Sequence, residues 1–171
     1  ANLKAASPLS SESLESARSE QFEAMEWLVN NANYDTYSNE VKTQRWAMAT
    51  MYNTLYGKEW SVTDGWLQDT SECTWHGVAC NDAGSVTSIT MSENGLWGWL
   101  PLEISLLKSL TEVSLTRNFI KGFPAEIFSL PNLRVLDLDK NTLEEIPSGI
   151  VAIASSLEEL YLSNNEITAI P

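Results

Sequence analysis

The chain has 171 residues, 43% of them hydrophobic and 19% charged, which suffices for an ordinary core and is too apolar for a wholly disordered chain. Ten Lys and Arg stand against 23 Asp and Glu, and the resulting charge of −13 repels phosphate backbones and anionic lipid, excluding a polybasic nucleic-acid or membrane binder. No run reaches the roughly 18 apolar residues of a membrane-spanning helix, and the single histidine leaves Ser-His-Asp chemistry or a His-rich metal site little to work with.

Residues 1–11 are small and polar and are expected to form a flexible tail. A start at Ala1, without Met or the apolar core of a signal peptide, predicts a processed chain or a fragment. Leu14, Ala17, Phe22, Met25, Leu28 and Val29 then recur at near-helical spacing, which predicts a helix over about 12–30. A polar loop over residues 30–39 leads to a second helix over about 40–56, burying Val41, Met48, Met51, Tyr52 and Leu55. The two helices are expected to cover the edge of whatever sheet follows.

Cys73 and Cys80 are the only cysteines. Two cannot make a four-ligand zinc site alone, and their spacing is not that of a Cys-x-x-Cys redox pair. A structural disulfide is the best reading, and it implies an oxidising compartment. No asparagine opens an Asn-x-Ser/Thr sequon, so N-glycosylation is not expected.

From residue 85 onward the chain repeats. Asn94, Asn118, Asn141 and Asn165 are 24, 23 and 24 positions apart. Each closes the same pattern: Val86-x-x-Ile89-x-Met91-x-x-Asn94-x-Leu96, Leu110-x-x-Val113-x-Leu115-x-x-Asn118-x-Ile120, Leu133-x-x-Leu136-x-Leu138-x-x-Asn141-x-Leu143 and Leu157-x-x-Leu160-x-Leu162-x-x-Asn165-x-Ile167. Leu100-Pro101, Phe123-Pro124, Ile146-Pro147 and Ile170-Pro171 then follow in turn. The alternating segment predicts one short strand per coil, stacking on the next at about 4.8 Å in a parallel concave sheet. Each asparagine turns inward to satisfy backbone groups that the turn leaves unpaired, and the four would form a ladder. Proline begins the return arc, where no ladder N–H is needed. Ile104, Leu107, Ile127, Leu130, Ile150 and Ile153 fill the convex half.

These repeats are identified as leucine-rich repeats. Asn94-Gly95-Leu96-Trp97-Gly98-Trp99-Leu100-Pro101 resembles the plant-type repeat, whose pattern is LxxLxLxxNxLxGxIP; the later units lose first a residue and then the glycine. Cys73-Thr74-Trp75-His76-Gly77-Val78-Ala79-Cys80 resembles the C-x-W-x-G-V-x-C signature of plant-type N-terminal caps. Trp60, Gly65-Trp66-Leu67, the segment from Arg45 to Tyr52, and Glu26-Trp27-Leu28 fit the same module, and together they look most like the large algal (diatom) leucine-rich-repeat family. The resemblance implies an α/β fold: a right-handed leucine-rich-repeat solenoid with an α-helical, disulfide-bonded N-terminal cap. The cap is expected over 12–84 and the repeats over 85–171. An array ending at Pro171, in mid-repeat and without a polar capping unit, is expected to continue.

Candidate chemistry is sparse. His76 has no second histidine beside it. Glu144-Glu145 and Glu158-Glu159 are neighbours in an extended segment and point to opposite faces, so neither is an acid/base pair. Asp137-x-Asp139 shares one strand face but lacks the oxygen-ligand pattern of a calcium loop. No catalytic, cofactor or metal residue is expected, and the chain is read as non-enzymatic.

Recognition remains. Outward positions form columns: Ser88, Glu112, Val135, Glu159; then Thr90, Ser114, Asp137, Tyr161; then Ser92, Thr116, Asp139, Ser163; and, beside the ladder, Glu93, Arg117, Lys140, Asn164. Arg117, Asp137, Lys140, Glu159 and Tyr161 are the candidate partner-binding set, with Tyr161 as aromatic anchor. Trp97 and Trp99 are the alternative, as a pair that either packs on the cap or meets a partner. The expected function is a binding module for a protein, peptide or glycan. It would be secreted or in an organelle lumen, with the thylakoid lumen as one alternative. The competing reading is an accessory subunit of a larger complex, possibly at a membrane or in an organelle, without direct membrane insertion and without a nucleic-acid partner.

Overall fold

The computed structural model describes Ser16 and residues 19–148 and 156–169. The expected tail, Leu14, Ala17, Ile150, Ile153 and the last proline lie outside the described residues.

The first helix, α1, spans Glu20–Val29. It starts where Ser19 accepts a hydrogen bond from the Phe22 N–H, and Glu20 and Glu23 sit favourably in its first turn. Neither Ser16 nor Ser19 is helical, so the helix begins later than the apolar spacing suggested. The polar loop contains a 3₁₀ turn, Tyr34–Thr36. Helix α2 spans Asn39–Thr54, with Ser38 accepting from the Val41 N–H at its start. It ends at Leu55, and Tyr56 takes a left-handed φ of 58°. Met48, Met51 and Leu55 are buried, whereas Val41 and Tyr52 are half-buried.

The concave sheet contains β1 (Val78–Cys80), β2 (Val86–Thr90), β4 (Glu112–Ser114), β6 (Val135–Asp137) and β7 (Glu159–Tyr161), in that order. The last four are parallel, one per coil, whereas β1 is antiparallel to β2. The cap strand β1 therefore takes the edge of β2, while α2 covers its start, Gln44 Oε1 accepting from the Val86 N–H at 2.8 Å. A three-residue strand between a tryptophan and a turn shows no alternation to read. A second, lateral pair joins β3 (Trp97–Trp99) to β5 (Phe119–Gly122) in parallel. Pro101 and Pro124 open the 3₁₀ turns Leu102–Leu106 and Ala125–Ser129 on the convex side.

Inward positions of the coils are sealed: Ile89, Val113, Leu115, Leu136 and Leu138 are all fully buried. Leu160 occupies the same position in the fourth coil and is 36% exposed. The solenoid core runs without a break into the cap through Met48, Met51, Leu55, Trp60, Trp66 and Trp75. Their rings meet in succession: Tyr52 with Trp60 at 5.1 Å, Trp60 with Trp66 at 4.9 Å, Trp66 with Trp75 at 5.0 Å.

Two devices lock the cap. Cys73 and Cys80 are joined by a disulfide. Arg45, 1% exposed, donates from Nη1 to Glu72 Oε2 (2.9 Å) and to the Thr70 carbonyl (3.0 Å), and from Nη2 to the Gln68 carbonyl (3.0 Å). The rings of Trp27 and Tyr37 flank its guanidinium at 5.1 and 5.0 Å. A cation buried this deeply is tolerated only because its charge and most of its donors are met.

Candidate functional site

The asparagine ladder fixes where every outward side chain stands. Asn118 accepts through Oδ1 from the Asn94 and Leu96 N–H groups and donates through Nδ2 to the Met91 and Leu115 carbonyls, over 2.7–3.1 Å. Asn141 and Asn165 repeat this one coil on, each bonding to its own coil and to the one before. Asn94 has no preceding coil. It reaches instead into the cap, accepting from the Val62 N–H at 2.7 Å and donating to the Val62 carbonyl at 3.0 Å. The turn into each asparagine carries a price in backbone conformation. Glu93, Arg117, Lys140 and Asn164 all lie in the left-handed region, with φ between 52° and 56°.

The concave columns stand in the expected register. Ser88 pairs with Glu112, Glu112 with Val135 and Val135 with Glu159; Thr90 pairs with Ser114, Ser114 with Asp137 and Asp137 with Tyr161. Asp137 and Tyr161 are thus adjacent across β6 and β7, and Glu159 is two residues from Tyr161 on the same face. The Tyr161 hydroxyl donates to Glu159 Oε2 at 2.7 Å. This hydrogen bond, and then the Glu159 charge, raise the phenol pKa above its ordinary value. Asp137 accepts from Ser114 Oγ (3.2 Å) and from the Asp139 N–H (3.0 Å). Arg117 is ion-paired with Glu93 in the preceding coil, which raises the guanidinium pKa further. Lys140 stands exposed one coil on from Arg117. Tyr161 is 48% exposed.

Trp97 and Trp99 stand elsewhere, on the lateral sheet, so the candidate residues divide between two surfaces. Trp97 meets the cap edge-on through Tyr56, with ring centres 4.9 Å apart. The Lys121 ammonium lies 4.6 Å from the Trp97 ring centre. The Trp99 ring occupies the space that a Cβ on Gly122 would need, its nearest atom 2.1 Å from that position. Both tryptophans nonetheless remain exposed, at 43% and 47%. Two neighbours escaped the sequence reading, Tyr56 at 53% and Phe119 at 54% exposure. Phe119 was open to notice, because the position after the ladder asparagine is Gly95, Thr142 or Glu166 in the other coils. Tyr56 carries no such signal, since the turn that turns it outward is set by the end of α2.

Of the carboxylate pairs, Glu144 and Glu145 are exposed, whereas Glu158 is bound by Arg134 at 2.7–2.9 Å and Glu159 by Tyr161. Among the described residues no group of three or more His, Cys, Asp or Glu is placed to hold a metal ion, and no helix is long and apolar enough to cross a membrane. What the arrangement offers is two exposed faces, the concave columns and the lateral tryptophan pair.

Comparison with known proteins agrees with this geometry. Residues 108–167 match the family described as leucine rich repeat. Phytosulfokine receptor 1 of Arabidopsis thaliana is 37% identical over 94 residues, which is 51% of this chain and 9% of that protein. The chain spans about a tenth of the length of the first curated relatives it matches. The leucine-rich-repeat ectodomain of the Arabidopsis receptor kinase SOBIR1 superposes with a TM-score of 0.59 at 26% identity, covering 72% of this chain and 67% of that one. A chain of the Arabidopsis BIR3–SERK2 complex superposes with a TM-score of 0.52 at 32% identity, covering 61% and 57%. The fold is therefore that of a leucine-rich-repeat solenoid with a disulfide-bonded cap, and its likeness is to plant leucine-rich-repeat receptors.

Proposed function

We propose that this leucine-rich-repeat chain is a non-catalytic recognition module that works outside the cytosol and binds a protein partner on its concave face. The observation that carries the reading is the in-register display of non-core side chains along β2, β4, β6 and β7, ending on the half-exposed Tyr161. Tyr161, Asp137, Glu159, Arg117 and Lys140 combine an aromatic anchor with both signs of charge, a composition suited to a protein surface and poor for an apolar small molecule. The disulfide supports an oxidising compartment. The likeness to a chain of the BIR3–SERK2 complex supports a protein as the bound species. The cap segments around Trp27 and Trp46 further support kinship with the large algal family.

The test is quantitative. The native protein is purified under oxidising conditions, its stoichiometric partner is identified, and the binding of recombinant partner is measured by calorimetry. Tyr161→Ala with Arg117→Ala should weaken binding at least about tenfold, which is roughly 1.4 kcal/mol. Undiminished affinity in this pair, with folding intact, rules out the concave face.

A further inference from the structure

The lateral face beside the cap carries Tyr56, Trp97, Trp99 and Phe119, each 43–54% exposed. They are contiguous. Tyr56 packs edge-on to Trp97 at 4.9 Å, Trp97 pairs in register with Phe119, and Trp99 shares the outward face of β3 with Trp97. Half-exposed rings of this size offer about 80–120 Å² each, so about 300–500 Å² together. A stable interface with a globular partner takes about 800 Å² per side. The patch is therefore the size of a bound segment, and too small to hold a second folded protein by itself.

Tyr56 joins this patch to a cleft. It follows the end of α2, where a left-handed φ of 58° turns the chain and leaves the ring exposed. On its other side it lines a cleft of about 180 Å³ together with Glu23, Tyr52, Asn53, Lys58 and Glu59. That volume has room for one long side chain. Glu23 and Glu59 are both exposed, and neither is ion-paired among the described residues. The cleft is thus lined by two carboxylates and the Lys58 ammonium, beside rings whose faces are themselves electronegative. Lys121, 4.6 Å from the Trp97 ring centre, already occupies this surface as a cation. The chain as a whole carries −13. Charge, shape and area all suit the same visitor. A guanidinium pairs with carboxylates through its planar fork and stacks on aromatic rings, which a compact ammonium does less well.

We propose that this lateral face is a second binding surface, for a short basic peptide segment that places an arginine in the Glu23–Glu59 cleft and apolar side chains over Trp97, Trp99 and Phe119. It shares no residue with the concave surface and does not depend on it.

The probe is a fluorescein-labelled octapeptide of arginine, phenylalanine and glycine, titrated into the full chain by fluorescence anisotropy at near-physiological salt. Replacing each arginine by citrulline, which keeps the shape and removes the charge, should weaken binding about tenfold or more. Glu23→Gln with Glu59→Gln should do the same, as should Trp97→Ser with Trp99→Thr. All of these positions are exposed, and thermal melts confirm that each variant is folded. Asp35→Asn with Asp82→Asn removes the same charge from exposed sites elsewhere on the cap and should change affinity less than about twofold. Tyr161→Ala with Arg117→Ala should leave peptide binding untouched, which separates this site from the concave one. The proposal is overturned if the citrulline peptide binds equally well, or if the Asp35–Asp82 pair weakens binding as much as the Glu23–Glu59 pair. It is equally overturned if laminarihexaose, and not the peptide, shifts the indole N–H resonances of Trp97 and Trp99.

Discussion

Asn118 shows how much one side chain holds. Its amide meets two buried N–H groups and two buried carbonyls drawn from two coils. Asn118→Leu leaves all four without that partner, and the expected cost is on the order of 2 kcal/mol or more. Ser92→Ala, at an exposed outward position, should cost under about 0.5 kcal/mol. Equal urea midpoints for the two variants would show that the ladder carries no special share of stability. Outward does not always mean free, however: Thr116 is half-buried and donates to the Asp139 carbonyl at 3.0 Å. At the neighbouring surface the prediction concerns pH. Glu159 favours the protonated phenol of Tyr161, so the folded pKa lies above the unfolded one. The contribution is fully present below the ordinary tyrosine pKa and is lost as pH rises through the folded value. In Glu159→Gln the tyrosinate absorbance of Tyr161 should appear at lower pH than in the parent, and an unchanged titration would contradict the assignment. At this scale the ladder was legible because four asparagines recur at one period. The left-handed backbone beside them was not. Glu93, Arg117 and Lys140 are residues that rarely adopt it, and only Asn164 hints at the conformation.

Elements were legible in proportion to their length. Two helices with apolar spacing over many residues announce themselves, and capping by Ser19 and Ser38 merely sets their starts. The strand β1 does not, since Val78, Ala79 and Cys80 are too few to alternate, and a hairpin with β2 decides their conformation. Gly77 is what lets that strand approach. Its φ is +77°, a Cβ there would lie 2.5 Å from the Thr90 carbonyl oxygen, and its own carbonyl accepts the Thr90 N–H at 2.7 Å. Gly77→Ala meets rigid backbone as well as an unfavourable φ, so a loss of roughly 1–3 kcal/mol is expected. A denaturant melt indistinguishable from the parent would mean that β1 does not lie against β2 as described.

For the whole molecule, periodicity revealed the solenoid but not its attachment to the cap. The join includes the contact of Asn94 with Val62, 32 positions apart, and the cap itself is held by Arg45 with Glu72, 27 apart. Such distant pairs leave no mark in a local pattern. Nor did the sequence show that the exposed aromatic rings gather on the lateral face, because Tyr56 comes from the cap and Phe119 from the second coil. The covered edge of β2 has a further consequence, for solubility. β1 ends at Cys80, and the bridge to Cys73 is what tethers it there. With the bridge cut, as in Cys73→Ser with Cys80→Ser, roughly 2–3 kcal/mol of stability should go. More tellingly, β1 can then peel away and bare the unpaired N–H and C=O groups of β2, a template for joining chains edge to edge. The net charge of −13 holds copies apart, but salt screens it. Reduced protein should therefore aggregate in high salt while the oxidised protein stays clear. Light scattering with and without dithiothreitol reads the difference, and equal turbidity in both would mean that the bridge is not what keeps the chains apart.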